Sequence, residues 1–213
     1  MKTDELITLL ASSVQPVAAR QVERRQAIAL GCGLLLAAWL MLHYLGLRPD
    51  LAAAAVLPMF WIKLVFPAAL LAGAWFATLR LSRPGVRLGR VPVALAAPVV
   101  VIWLLAIAAR MRAAPADFNQ LVYGVSWTVC PIIIAILSGP LFVALLWAIK
   151  GAAPTRLALA GAAAGLLAGA GGALVYALHC PEMGAPFLGI WYVLGMLIPV
   201  AFGALAGPWV LRW

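Results

Sequence analysis

The sequence predicts an all-α integral membrane protein: a six-transmembrane-helix bundle with a short N-terminal cytoplasmic amphipathic helix. Three observations carry that expectation. The first is composition. Of 213 residues, 66% are apolar and only 10% are charged, against roughly half and a quarter in soluble domains. Such a surplus cannot be buried in one soluble core, because a folded surface needs polar cover. An ordinary cytosolic enzyme, a disordered chain and a nucleic-acid module are thereby excluded. The second is run length. Six apolar stretches lie at about 27–47, 56–79, 91–109, 129–149, 157–178 and 187–211, each close to the roughly 20 residues that cross a bilayer as a helix. The third is the placement of Lys and Arg. With the N-terminus in the cytoplasm, eleven of the 15 fall inside; only Arg48, Arg110 and Arg112 fall outside, and Lys63 lies within a span. That bias puts both termini in the cytoplasm. It also explains a pI near 10.4 as a topology signal and a contact to anionic lipid rather than to nucleic acid.

Residues 1–26 form a cytoplasmic tail and residues 27–213 the six-helix domain. In the tail, Thr3 is placed to cap a helix, and Asp4 and Glu5 in its first turn suit the helix dipole. Leu6, Leu9 or Leu10, and Val14 recur at three-to-four spacing, giving one apolar stripe over about three turns, which Pro16 ends or kinks. So short a helix is marginal alone in water and needs a surface to rest on. That surface is the protein's own bundle, the bilayer, or a partner groove that takes i, i+3/i+4 anchors.

The polar first 26 residues and the length of the first run argue for a retained helix rather than a signal peptide. In the first span, Cys32 reads as a small buried hydrophobe and His43 as an interfacial residue. In the second, Lys63 is the one charge well inside a span, near its outer end. It either snorkels to the interface or serves a function. The external loop 110–126 carries Asp117 and Asn119. In the fifth span Gly161, Gly165 and Gly169 sit at four-residue spacing, which lets two helices approach closely. Packing inside the bundle is the expectation, with Gly195, Gly203 and Gly207 of the sixth span opposite. Trp191, Tyr192, Trp209 and Trp213 read as an interfacial aromatic belt.

Cys130 and Cys180 are each followed by proline and fall at the same outer face, in an oxidising compartment. A thiol at a helix start has its thiolate favoured by the dipole. His179 and Glu182 stand beside Cys180 and could add metal ligands. A structural disulfide, a redox or metal sensor and a pair of inert thiols are all compatible with this spacing.

No P-loop, GxSxG or HExxH motif is present, which argues against an enzyme. The six acids lie outside the apolar runs. The alternative, a small transporter or channel for a metal or solute, normally needs a mid-membrane acid or histidine.

Together these residues resemble one family, the NrsF-like membrane anti-sigma factors. The resemblance rests on Thr3-Asp4-Glu5-Leu6-Ile7 with Leu9-Leu10-Ala11, on Lys63 after Phe60-Trp61, and on Cys130-Pro131. It rests equally on Cys180-Pro181-Glu182 with the following Phe187 and Trp191-Tyr192. It implies a multi-pass protein of the bacterial inner membrane that holds an extracytoplasmic-function sigma factor through its tail (Asp4, Leu6, Leu9, Leu10). It implies release of that factor under heavy-metal or oxidative stress associated with Cys130 and Cys180. His179, Glu182 and Lys63 would be accessory at the sensing face. No resident cofactor is implied beyond a transient soft metal ion at the cysteine pair, and nucleic acid is not contacted directly.

Overall fold

The computed structural model describes residues 3–12, 20–152 and 154–212, with the side chains of 9–11 and 115–117 left out of the description. Val14, Pro16 and Trp213 therefore lie outside the described residues, as do the side chains of Leu9, Leu10 and Asp117. Among the described residues every regular element is helical. α1 spans Thr3–Ser12 and α2 Gln21–Tyr44; a short α3, Leu51–Ala55, leads into α4, Pro58–Leu81. α5 spans Val91–Arg112, α6 Pro115–Tyr123, α7 Cys130–Lys150 and α8 Leu157–Tyr176. α9, Ala185–Val210, contains a π-helical stretch at Leu188–Tyr192. Six of these (α2, α4, α5, α7, α8 and α9) are long and apolar enough to cross a membrane.

Each long helix matches an apolar run, with two differences. α2 starts at Gln21 rather than at 27, because polar residues in its first turns find partners on neighbouring helices. Glu23 pairs with Arg83 at 2.9 Å, and Gln26 is fully buried with its Nε2 donating to Ser82 Oγ at 2.8 Å. One of the six acids thus belongs to a long helix after all. The loop 110–126 also folds in part, as α6, with Pro115 at its first turn where a missing N–H costs nothing.

α8 is the centre of the bundle and packs against α9, α7 and α4, while α2 lies on α7 and α5 on α4. Its sequence explains its place. A Cβ at Gly161 would collide with the carbonyl of Gly203, and one at Gly165 with the carbonyl of Pro199. On another face, a Cβ at Gly172 would lie 2.8 Å from the carbonyl of Ile134. The absent side chains let backbone meet backbone, which is how helices gain van der Waals contact where no hydrophobic drive separates one apolar neighbour from another. The glycines therefore serve packing within the bundle, and the opposing surface does include Gly203 and Gly207, whereas Gly195 faces Ile134 and Pro131 of α7 instead.

Two expectations fail here. Cys32 is exposed, because α2 turns Gly33, Ala37 and Met41 inward and the neighbouring position then faces out. Tyr192 is fully buried, its ring packed against those of Tyr176 and Phe187, and Trp191 is half-buried. Trp209, at 84% exposed, keeps the belt reading.

Replacing Gly165 by Leu should lower stability by about 1–3 kcal/mol or more through overpacking. Gly31→Ala, where a Cβ meets nothing within 4 Å, should change it by less than about 1 kcal/mol. Thermal unfolding of the purified protein in detergent checks the pair, and equal effects would contradict the packing account.

Candidate functional site

The end of the bundle opposite the start of α2 gathers most of the singled-out residues. Cys130 opens α7, with Pro131 at its first turn. Cys180 follows α8 in the loop 177–184, and its N–H donates to Tyr176 O at 3.0 Å. Both are buried free thiols, and they interact with one another.

Lys63 decides the shape of this site. It comes from the early turns of α4 and is fully buried. Its Nζ donates to Cys180 O at 2.5 Å and to Glu182 O at 2.9 Å, and it stands 5.9 Å from the centre of the Tyr192 ring. Of the two readings left open for Lys63, snorkelling is thereby set aside: the ammonium turns into the protein, because the carbonyls of the loop replace the water it would otherwise seek. Arg48 helps from the loop after α2. Its backbone N–H donates to Leu178 O at 3.3 Å and its Nη1 to Cys180 O at 3.4 Å. Its Nε and Nη2 grip Asp50 at 2.7 Å each, which holds the Asp50 carboxyl below its usual range.

Glu182 does not turn towards the sulfurs. Its Oε1 accepts from Val125 N–H at 2.7 Å, Ser126 N–H at 3.3 Å and Ser126 Oγ at 3.4 Å. This anchors the chain after α6. The turn depends on Gly124, which has a φ of +53° and whose missing Cβ leaves the space that the Glu182 carboxylate fills. His179 is likewise engaged elsewhere, its Nδ1 lying 3.0 Å from Gly46 O. Among the described residues no three His, Cys, Asp or Glu side chains converge to hold a metal ion. What the site offers is two thiols without a third ligand.

Tyr176, Ser126 and Trp127 were not singled out from the sequence, whereas Trp191 and Tyr192 were read there as interfacial. Tyr176 and Tyr192 are both fully buried around the thiols, their rings 6.0 Å apart. The Tyr192 hydroxyl has no geometric hydrogen-bond partner, although it lies beside the Cys180 sulfur. Ser126 Oγ is 4.0 Å from Cys180 Sγ. Trp191 roofs the site: its Nε1 donates to Val122 O at 2.8 Å and its ring packs 5.1 Å from Trp127.

The Cys180 thiol is held down to about 5, first by the hydrogen bond from Cys130 and then, against the opposing effect of burial, by the Lys63 ammonium. That favours its thiolate, the form that attacks oxidants and binds soft metals. The direction of the linkage follows. An acid lowered from 9.0 to about 5 contributes stability that is fully present above the higher value and is lost as pH falls to the lower one.

Alkylation of Cys180, measured by mass spectrometry and scaled to its plateau, should stay level from pH 8 to pH 6 and fall only near about 5. An ordinary thiol loses its rate below about 8.5. Cys130→Ser and Lys63→Met should each move the fall to higher pH; an unmoved profile in both would contradict this geometry.

Comparison with known proteins covers nearly the whole chain. A family model described as "Negative regulator of sigma F" matches residues 10–213, beginning inside α1. The chain is 52% identical over 213 residues to a protein of Azospira oryzae named "Probable anti-sigma-F factor NrsF". It is 40% identical over 217 residues to one of Caulobacter vibrioides named "Anti-sigma-F factor NrsF". Each alignment covers 100% of both chains. No solved structure matches. The chain belongs to the NrsF family of negative regulators of sigma F.

Proposed function

We propose that this protein is an anti-sigma factor of the bacterial inner membrane, with both termini cytoplasmic, that sequesters an extracytoplasmic-function sigma factor. Residues 1–26 serve as the sigma-binding tail and 27–213 as a sensor domain in the bilayer. The observation that carries the reading is α1. It forms a helix at the head of the chain, yet Leu6 is 42% and Ile7 58% exposed, and its other described side chains are exposed too. A ten-residue helix with apolar side chains turned outward gains stability by laying them in a partner's groove. Asp4, Leu6, Leu9 and Leu10 are its proposed contacts. Binding, not catalysis, is the activity.

The signal enters at Cys130 and Cys180. Oxidation of the Cys130 thiol and the Cys180 thiolate to a disulfide would release one proton and pass two electrons to an oxidant such as a peroxide. A soft metal ion bridging the two sulfurs would use the same thiolates, since low-coordinate soft ions need no further ligand. Either change alters the loop that Lys63 holds. α4 offers a route across the bundle: it carries Lys63 near one end and Thr78 near the other, about 22 Å away along the helix axis. There Thr78 and Ser82 meet the buried Gln26 of α2, in the helix that follows the tail. A signal of this kind shifts partner affinity only through differential stability of two packings.

The test is capture of the sigma factor from membranes of the native host by C-terminally tagged protein. Replacing Leu9 and Leu10 by Asp should reduce capture at least about tenfold, about 1.4 kcal/mol, while the protein still accumulates in the membrane. Undiminished capture would refute the docking role of α1.

A further inference from the structure

A second site lies at the other end of the bundle. A cavity of about 260 Å³ opens between the end of α4, the following loop and the start of α8, lined by Arg80, Arg83, Arg87 and Arg156 together with Leu81 and Val86. No carboxylate lines it. Arg80 is half-buried and shapes the loop, its Nη1 donating to Leu88 O at 2.7 Å and Arg87 O at 3.3 Å. Arg83 is answered by Glu23 at its rim. Arg87 and Arg156 are exposed, and among the described residues neither has a carboxylate partner.

Four guanidinium groups converging on one cavity from two separate chain segments, with only Glu23 at the rim to answer one of them, leave a surplus of positive charge that suits an anion. The planar fork of Arg matches a phosphate bidentately. Its level in the fold, just beyond the last apolar turn of α4 and the first of α8, is where headgroups meet helix ends, and the apolar wall from Leu81 and Val86 suits the glycerol and acyl root of a lipid. Basic pockets between helices on the cytoplasmic side are known homes of anionic headgroups.

We propose that this arginine pocket binds a phosphate group, presented as the headgroup of an anionic phospholipid; the proposal rests on the membrane reading above. Because Arg83 also holds Glu23 at the start of α2, an occupied pocket would brace the helix that follows the tail.

The test uses the full-length protein in detergent, titrated with dioleoyl phosphatidylglycerol, with dioleoyl phosphatidylcholine and with inorganic phosphate, and read by native mass spectrometry. Phosphatidylglycerol should bind more tightly than phosphatidylcholine. The double variant Arg87→Gln/Arg156→Gln should bind it about thirtyfold more weakly, the loss expected for two arginine attractions at a lipid surface. Arg87→Lys/Arg156→Lys should recover much of it. Arg24→Gln/Arg90→Gln, which removes the same charge from the same end outside the pocket, should bind as the parent does. Phosphate that competes with the lipid supports the headgroup as source. Phosphate that binds alone as tightly as the lipid supports the same pocket with free phosphate as its ligand. Equal loss in both Gln pairs would overturn the proposal in favour of diffuse surface charge. Lipid binding unchanged in the pocket pair, with capture of the sigma factor lost, would overturn it in favour of an acidic protein segment. Capture is measured alongside: lost lipid binding with capture retained supports the pocket, whereas capture absent from the unaltered protein counts against the anti-sigma reading alone.

Discussion

An ammonium group buried among helices must replace its water, and Lys63 does so with two loop carbonyls, those of Cys180 and Glu182. Leaving such a group unpaired costs several kcal/mol, so the contact holds α4 and the loop after α8 in one relative position. Much of that end of the molecule follows from it. Cys180 is set beside Cys130 at the start of α7, and the Glu182 side chain is directed onto the amides after α6. Arg48 ties the loop after α2 to the same strip of backbone. Four separate segments are thus pinned to a loop that carries one of the two thiols.

The interior of the bundle is built on a different constraint, the close approach of α8 to its neighbours. Glycine faces on both sides of one helix allow contact of backbone with backbone, and a core packed at that distance has few intermediate arrangements. Such a core transmits a shift at one end as a discrete change of packing rather than dissipating it. α4 is suited to carry it, since its polar residues bond at both ends: Lys63 to the thiol loop, and Thr78 and the following Ser82 to Gln26 of α2.

The sequence made the long helices legible because each is built on a long, mostly apolar run, and apolar length is a strong signal. The glycine ladder of α8 was legible for a similar reason, a fixed spacing with one physical use. The candidate site was legible in part. Cys130 and Cys180 could be placed at one end by topology, and the structure brings them together. The direction of Lys63 could not be read, because the same position suits either an outward or an inward turn, and the partners that decide it are carbonyls 117 and 119 residues away. Tyr176 was hidden inside an apolar run, where a phenol looks like any other large residue, and Tyr192, near a span end, read as an interfacial ring although the structure buries it. His179 and Glu182 are adjacent in sequence to Cys180, yet their side chains leave it for Gly46 and for Val125 and Ser126. Sequence adjacency in a loop fixes the position of a backbone but not the direction of a side chain.

The central claim is that the state of Cys130 and Cys180 sets how tightly the tail holds its sigma factor. Its most direct measurement is the affinity of the full-length protein, in nanodiscs, for the purified sigma factor with the thiol pair reduced and then oxidised or loaded with a soft metal ion. The account predicts a difference of at least about tenfold, about 1.4 kcal/mol, that disappears in Cys130→Ser/Cys180→Ser. Equal affinities in every state would contradict it.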